Sequence, residues 1–108
     1  METTQAQVID LAALAADATT SGQAGATWSL VSNDLNLNLI HLGAGDGVET
    51  HFNTEVDVIG VVIAGEGVLD LDDRQEHLRP GILFFVPKNA RRAIHSCSSD
   101  FAYLSCHR

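Results

Sequence analysis

Turn residues recur so closely between Gly43 and Asn89 that only short extended segments fit between them. Gly43-Ala44-Gly45-Asp46-Gly47, Gly65-Glu66-Gly67, Asp72-Asp73-Arg74, Arg79-Pro80-Gly81 and Pro87-Lys88-Asn89 carry the Gly, Pro, Asn and Asp positions that tight turns need. Upstream, Leu35, Leu37 and Leu39 alternate with Asn36 and Asn38, the period of a half-buried strand. Val56 to Ile63 is apolar apart from Asp57 and Gly60, and its Val/Ile content favours a strand over a buried helix. Val68 to Leu71, Gln75 to Leu78, Ile82 to Val86, Arg92 to His95 and Phe101 to Cys106 complete the series. Many short strands at such intervals predict an all-β sandwich or barrel.

The N-terminal part reads differently. Asp10 is placed to cap a short helix through Leu11 to Ala16, with Val8, Leu11 and Leu14 on its docking face and a loop from Thr19 to Gly25. We divide the chain into a helix and loop over 1–26 and one β-barrel domain over 27–108. At 108 residues and 45% hydrophobic content a packed core is within reach and a further domain is not. The net charge of −8 argues against nucleic acid and anionic membranes as partners. No apolar run is long enough to span a bilayer, and Met1-Glu2-Thr3-Thr4 has no basic leader, so the cytoplasm is the expected location. Cys97 and Cys106 lack C-x-x-C spacing and are expected as free thiols, with Cys106 packing as a small apolar residue.

Two stretches carry a resemblance. The first is Gly45 through His51-Phe52-Asn53-Thr54-Glu55-Val56-Asp57 to Gly65. The second is Gly81, five residues, then Pro87-Lys88-Asn89 and Arg92. Over roughly Leu35 to His107 this spacing resembles the paired motifs of the cupin superfamily. It is also similar to a group of small bacterial cupins with a His-x-Asn-x-Glu-Val-Asp stretch. The resemblance implies a double-stranded β-helix, a jelly-roll barrel, behind the short N-terminal helix. It implies a metal site too, since a typical cupin holds Mn, Fe, Ni or Zn with three imidazoles and a carboxylate. Here His51 keeps its place, Asn53 stands for the second His, Val58 for the Glu and Arg92 for the last His. Asn89 replaces a glycine, a position where Asn tolerates a left-handed backbone.

These replacements define the expected site. His51 is the one remaining metal ligand. Arg92 cannot ligate and would repel a divalent ion, so the cofactor is either none or a single divalent metal on a non-standard ligand set. A fork, an amide and an imidazole suit an oxyanion instead. The leading expectation is a small polar or anionic molecule held by His51, Asn53, Arg92, Asp57 and Tyr103. His51 would act as acid or base, and Arg92 as anchor, in any catalysis. The alternatives are a metal-dependent cupin enzyme of dioxygenase or isomerase type using His51, and a structural or regulatory dimer without pocket chemistry. A salt bridge from Arg92 to Asp57 or Glu55 would also close the site. Asp57 is the carboxylate most open to an unusual environment. Glu49, Glu55 and Asp57 otherwise read as solvated strand ends. His95, three residues after Arg92, should face away from it. His41, His77 and His107 show no ligand spacing and are expected at surfaces or interfaces. A homodimer is expected from the apolar outward face of the Leu35 to Leu42 segment.

Overall fold

The computed structural model describes residues 5–52 and 55–108, the side chains of residues 49–52 excepted. A helix, α1 (Leu11–Ser21), precedes nine strands: β1 (Gly25–Val31), β2 (Asn36–Leu42), β3 (Gly47–Phe52), β4 (Val58–Ala64), β5 (Gly67–Leu71), β6 (Gln75–Leu78), β7 (Leu83–Val86), β8 (Arg91–Ser96) and β9 (Phe101–His107). They form two antiparallel sheets, one in the order β1-β2-β9-β4-β7 and one in the order β3-β8-β5-β6. This is the all-β double-sheet barrel with an N-terminal helix that the sequence predicts. No helix among the described residues is long and apolar enough to cross a membrane. Cys97 and Cys106 are both free.

The turns form for the reasons their residues suggest. Gly45, Gly65 and Gly81 all take positive φ, and Asn89 joins them at 71°. Asn89 is the non-glycine residue whose short polar side chain makes that region accessible.

The core lies between the sheets. Leu42, Val62, Leu69, Leu78, Val86, Ile94 and Phe101 are buried there. Each contributes about 1.5–3 kcal/mol by leaving water. A second, smaller cluster of Ala15, Leu39 and Ala102 lies where α1 crosses the other face of the larger sheet.

Two expectations for the N-terminal part are corrected. Asp10 does cap the helix, accepting the Ala13 N–H at 3.0 Å, but the helix continues to Ser21. Thr19, Thr20 and Ser21 donate their hydroxyls back to the carbonyls of Ala15, Ala16 and Ala18, so these small polar residues extend the helix until Gly22 turns left-handed. The docked face differs in part. Val8 lies before the helix, fully exposed, while Leu11 and Leu14 are half-buried, Leu14 packing against the small cluster, and Ala15 and Ala18 are the buried helical residues. Alanines admit the close approach to Leu39 and Ala102 that larger side chains would prevent.

Strand parity is the other finding. On β2, Leu37 and Leu39 face away from the barrel interior, while Leu42 at its end joins the core. Leu39 is buried beneath α1, and Leu35 is 49% exposed. Asn36, Asn38 and Ile40 sit on the opposite face, in register with His107, Ser105 and Tyr103 of β9.

Candidate functional site

The interior face of the larger sheet is built in rows by its register. Asn36, His107, Val58 and Val86 form one; Asn38, Ser105, Gly60 and Phe84 form the next; Ile40, Tyr103 and Val62 form a third. Opposite them, β8 presents Arg92 and Ile94, and β3 presents Val48 in register with Ile94. Between the sheets these residues enclose a cavity of about 240 Å³. Ile40, Val48, Val58, Phe84 and Ile94 make its apolar walls, and Arg92, Tyr103, Ser105 and His107 its polar positions. Gly60 makes room for one wall: a Cβ there would collide with the Phe84 ring, which occupies the space above the glycine.

Arg92 supplies the charge. Its Nη1 is buried and has no hydrogen-bond partner among the described residues. A guanidinium nitrogen left so is costly, because the water it has lost is not replaced. Desolvation holds its pKa below the ordinary arginine value, and the nearby Tyr103 acts weakly in the opposite sense. Tyr103 is 6% exposed, edge-on to Phe84 at 5.7 Å between ring centroids and tilted against Phe101 at 5.6 Å. Burial pushes its phenol up to about 12, and the Arg92 charge offsets part of that rise. The Tyr103 phenol therefore stays protonated near neutrality, and Arg92, like any guanidinium in a protein, remains cationic. They offer donors to the cavity with no carboxylate among the described lining residues.

Residues 38–105 match the family described as the cupin domain. This chain belongs to the cupin family. Solved structures agree on the fold. KdgF from Halomonas sp. superposes with a TM-score of 0.68 at 21% identity, covering 70% of either chain. A cupin superfamily protein from Desulfitobacterium hafniense gives 0.66 at 24% identity, over 73% of this chain and 72% of that one. A protein from Bacillus halodurans gives 0.78 at 14% identity, over 95% and 80%. No curated protein is similar enough to this cupin to be matched.

Of the site residues expected from the sequence, this cupin brings Arg92 and Tyr103 together in the cavity. His51 lies on β3 with its backbone paired to that of Arg92; its side chain falls outside the described residues, as does Asn53 altogether. Asp57 is exposed and does not line the cavity. Its Oδ1 accepts the Lys88 N–H at 2.9 Å, holding the Pro87-Lys88-Asn89 turn. Among the described residues Arg92 forms no salt bridge, and its closure by Asp57 is not seen. His95 is exposed on the face away from Arg92, as its spacing predicts.

Three histidines were expected at surfaces or interfaces, and two of them are corrected. His41 is 2% exposed: its Nδ1–H donates to the Gln23 carbonyl at 2.6 Å, and Nε2 meets the Thr19 hydroxyl at 3.0 Å. His107 lines the cavity beside Ser105. His77 is exposed and paired with Glu66 at 3.1 Å. Ser105 and His107 went unread as site residues although alternation from Tyr103 carries the signal, since 103, 105 and 107 share a face.

Val58 stands in the carboxylate position as a buried wall residue, and Arg92 sets a fixed positive charge where an imidazole would ligate. No three of His, Cys, Asp and Glu gather into a ligand set among the described residues. Among the described lining residues Arg92 supplies the one fixed charge, and it is positive.

Proposed function

We propose that this cupin binds a small polar or anionic molecule in its barrel, with Arg92 as the anchor. The observation that carries the reading is the buried Nη1 of Arg92, without a partner among the described residues, on a residue that lines a cavity with no carboxylate in its described lining; Arg92 also borders a second cleft, of about 180 Å³, with Asp70 and Asp72. An incoming oxyanion would satisfy that donor and neutralise the guanidinium in one contact, which is the arrangement in which charge-assisted hydrogen bonds are strongest. Larger clefts, of about 330 Å³ at the open edge between β6 and β7 and about 370 Å³ beside α1, have no such buried orphan donor. Titration calorimetry against acetate, benzoate, inorganic phosphate and sulfate tests it. At least one anion should bind, and Arg92→Gln should weaken it tenfold or more. Failure of every anion, or indifference to Arg92→Gln, overturns the reading.

A second observation favours a homodimer. Across the outer face of the larger sheet the register aligns Leu30, Leu37, Cys106, Ile59 and Phe85 in one row, and Leu39, Leu104, Val61 and Leu83 in the next. Phe85 is 55% exposed and Leu83 60%. Neither row contains a charge, in a chain of net charge −8. Two copies can meet here without opposing like charges, and a two-fold contact needs only this one self-complementary patch. The unpaired cysteines support a cytoplasmic setting.

A further inference from the structure

We infer that the preferred ligand is a monocarboxylate with a short apolar body, its carboxylate on Arg92 and its body against Tyr103, Phe84 and Ile94. This rests on the anion-pocket reading above and adds the ligand's class. Charge count comes first. Arg92 is the one guanidinium lining the cavity among the described residues, with no lysine beside it. A single cation neutralises a single anion. Phosphate carries about −1.5 to −2 near neutrality, and the excess would sit unpaired between apolar walls.

The walls then define the rest of the molecule. Ile40, Val48, Val58, Phe84 and Ile94 present only hydrocarbon, and Tyr103 adds the face of its ring. A sugar or other polyol could reach partners only at Arg92, Tyr103, Ser105 and His107, and would leave its remaining hydroxyls unpaired along the hydrocarbon walls. An apolar body instead displaces poorly held water and packs on the aromatic pair Phe84 and Tyr103, whose rings already meet edge-on. A wholly neutral apolar molecule would fill the space and leave Nη1 of Arg92 unsatisfied. Size sets the upper limit. At about 240 Å³ the cavity falls below the roughly 300–1,000 Å³ of sites that take drug-sized ligands, so the body is one ring or a short branched chain.

The test is calorimetric titration of the full chain with benzoate, acetate, benzamide and inorganic phosphate, followed by benzoate against Arg92→Gln. Benzoate should bind at least tenfold more tightly than acetate, which lacks the body, and than benzamide, which lacks the charge. Arg92→Gln should bring benzoate down to the level of benzamide. Phosphate binding as tightly as benzoate overturns the monocarboxylate assignment, and acetate doing so overturns the apolar body, while the anion pocket stands in either case. Benzamide matching benzoate removes the role of charge and overturns both. No binding by any of the four also overturns both. The comparison among ligands is made on the wild type, so the assignment is decided even if the variant does not fold.

Discussion

Gly60 is where one missing side chain shapes the cavity. It lies in β4 directly opposite Phe84, whose ring covers it. Gly60→Ala should force that ring off its position and into the cavity, costing about 1–3 kcal/mol of stability as overpacking does. Urea denaturation measures the loss, and weaker benzoate binding by the same protein would show that the displaced ring has entered the ligand space. Tyr103 gives the second residue-scale prediction. It is the chain's single tyrosine, so its ultraviolet phenolate signal is unambiguous. The folded phenol should titrate near 12, against about 10 in the unfolded chain. The sign follows: the raised pKa contributes nothing adverse below about pH 10. Above it the unfolded chain sheds the proton while the native state retains it, so stability should fall between about pH 10 and 12. A phenolate midpoint near 10 in native protein would contradict the buried placement of Tyr103. Arg92→Gln should raise the midpoint further, because the charge that favours phenolate is gone.

Helix α1 is held by two alanines and one histidine. Ala15 and Ala18 bring it onto β2, and His41 reaches from β2 to Thr19 within the helix and to Gln23 just beyond it. His41→Ala should remove both hydrogen bonds and leave a cavity under the helix end, a loss of roughly 2–4 kcal/mol. Thr19→Val, which keeps the volume and removes one hydroxyl, should cost about 1 kcal/mol. Trp28, partly buried against the same small cluster, offers a fluorescence readout of that junction. Little of this element was legible in advance. Its N-cap was, since Asp10 acts locally. Its end was not, because Thr19, Thr20 and Ser21 look like loop residues until their hydroxyls find carbonyls one turn back.

For the whole molecule, the uncharged outer rows of the larger sheet predict association. Sedimentation should report a dimer for the wild type and a monomer for the double variant Phe85→Lys with Leu83→Lys, with the cavity's anion binding retained. A monomeric wild type at micromolar concentration would remove the proposed interface. Because the contact is apolar, salt should change the dimer's dissociation constant little, unlike a charge-driven interface.

What the sequence by itself determined is the set of local rules. Glycine, proline and Asn89 placed the turns, the alternation between them made strands, and the paired spacing around Gly45, Gly65, Gly81 and Pro87 marked a cupin. These depend on backbone dihedrals a few residues apart, which neighbouring side chains specify. That Arg92 and Tyr103 share a cavity was legible for the same reason, from motif position and strand alternation. Tertiary structure decided the rest. Only the pairing of β2 with β9 turned Asn36 and Asn38 inward and Leu37 and Leu39 outward, and only the helix above made His41 a buried tether. Only the meeting of two sheets left Nη1 of Arg92 buried without a partner among the described residues beside apolar walls. Those outcomes depend on residues tens of positions apart sharing one small volume, and no local pattern encodes which of them will meet.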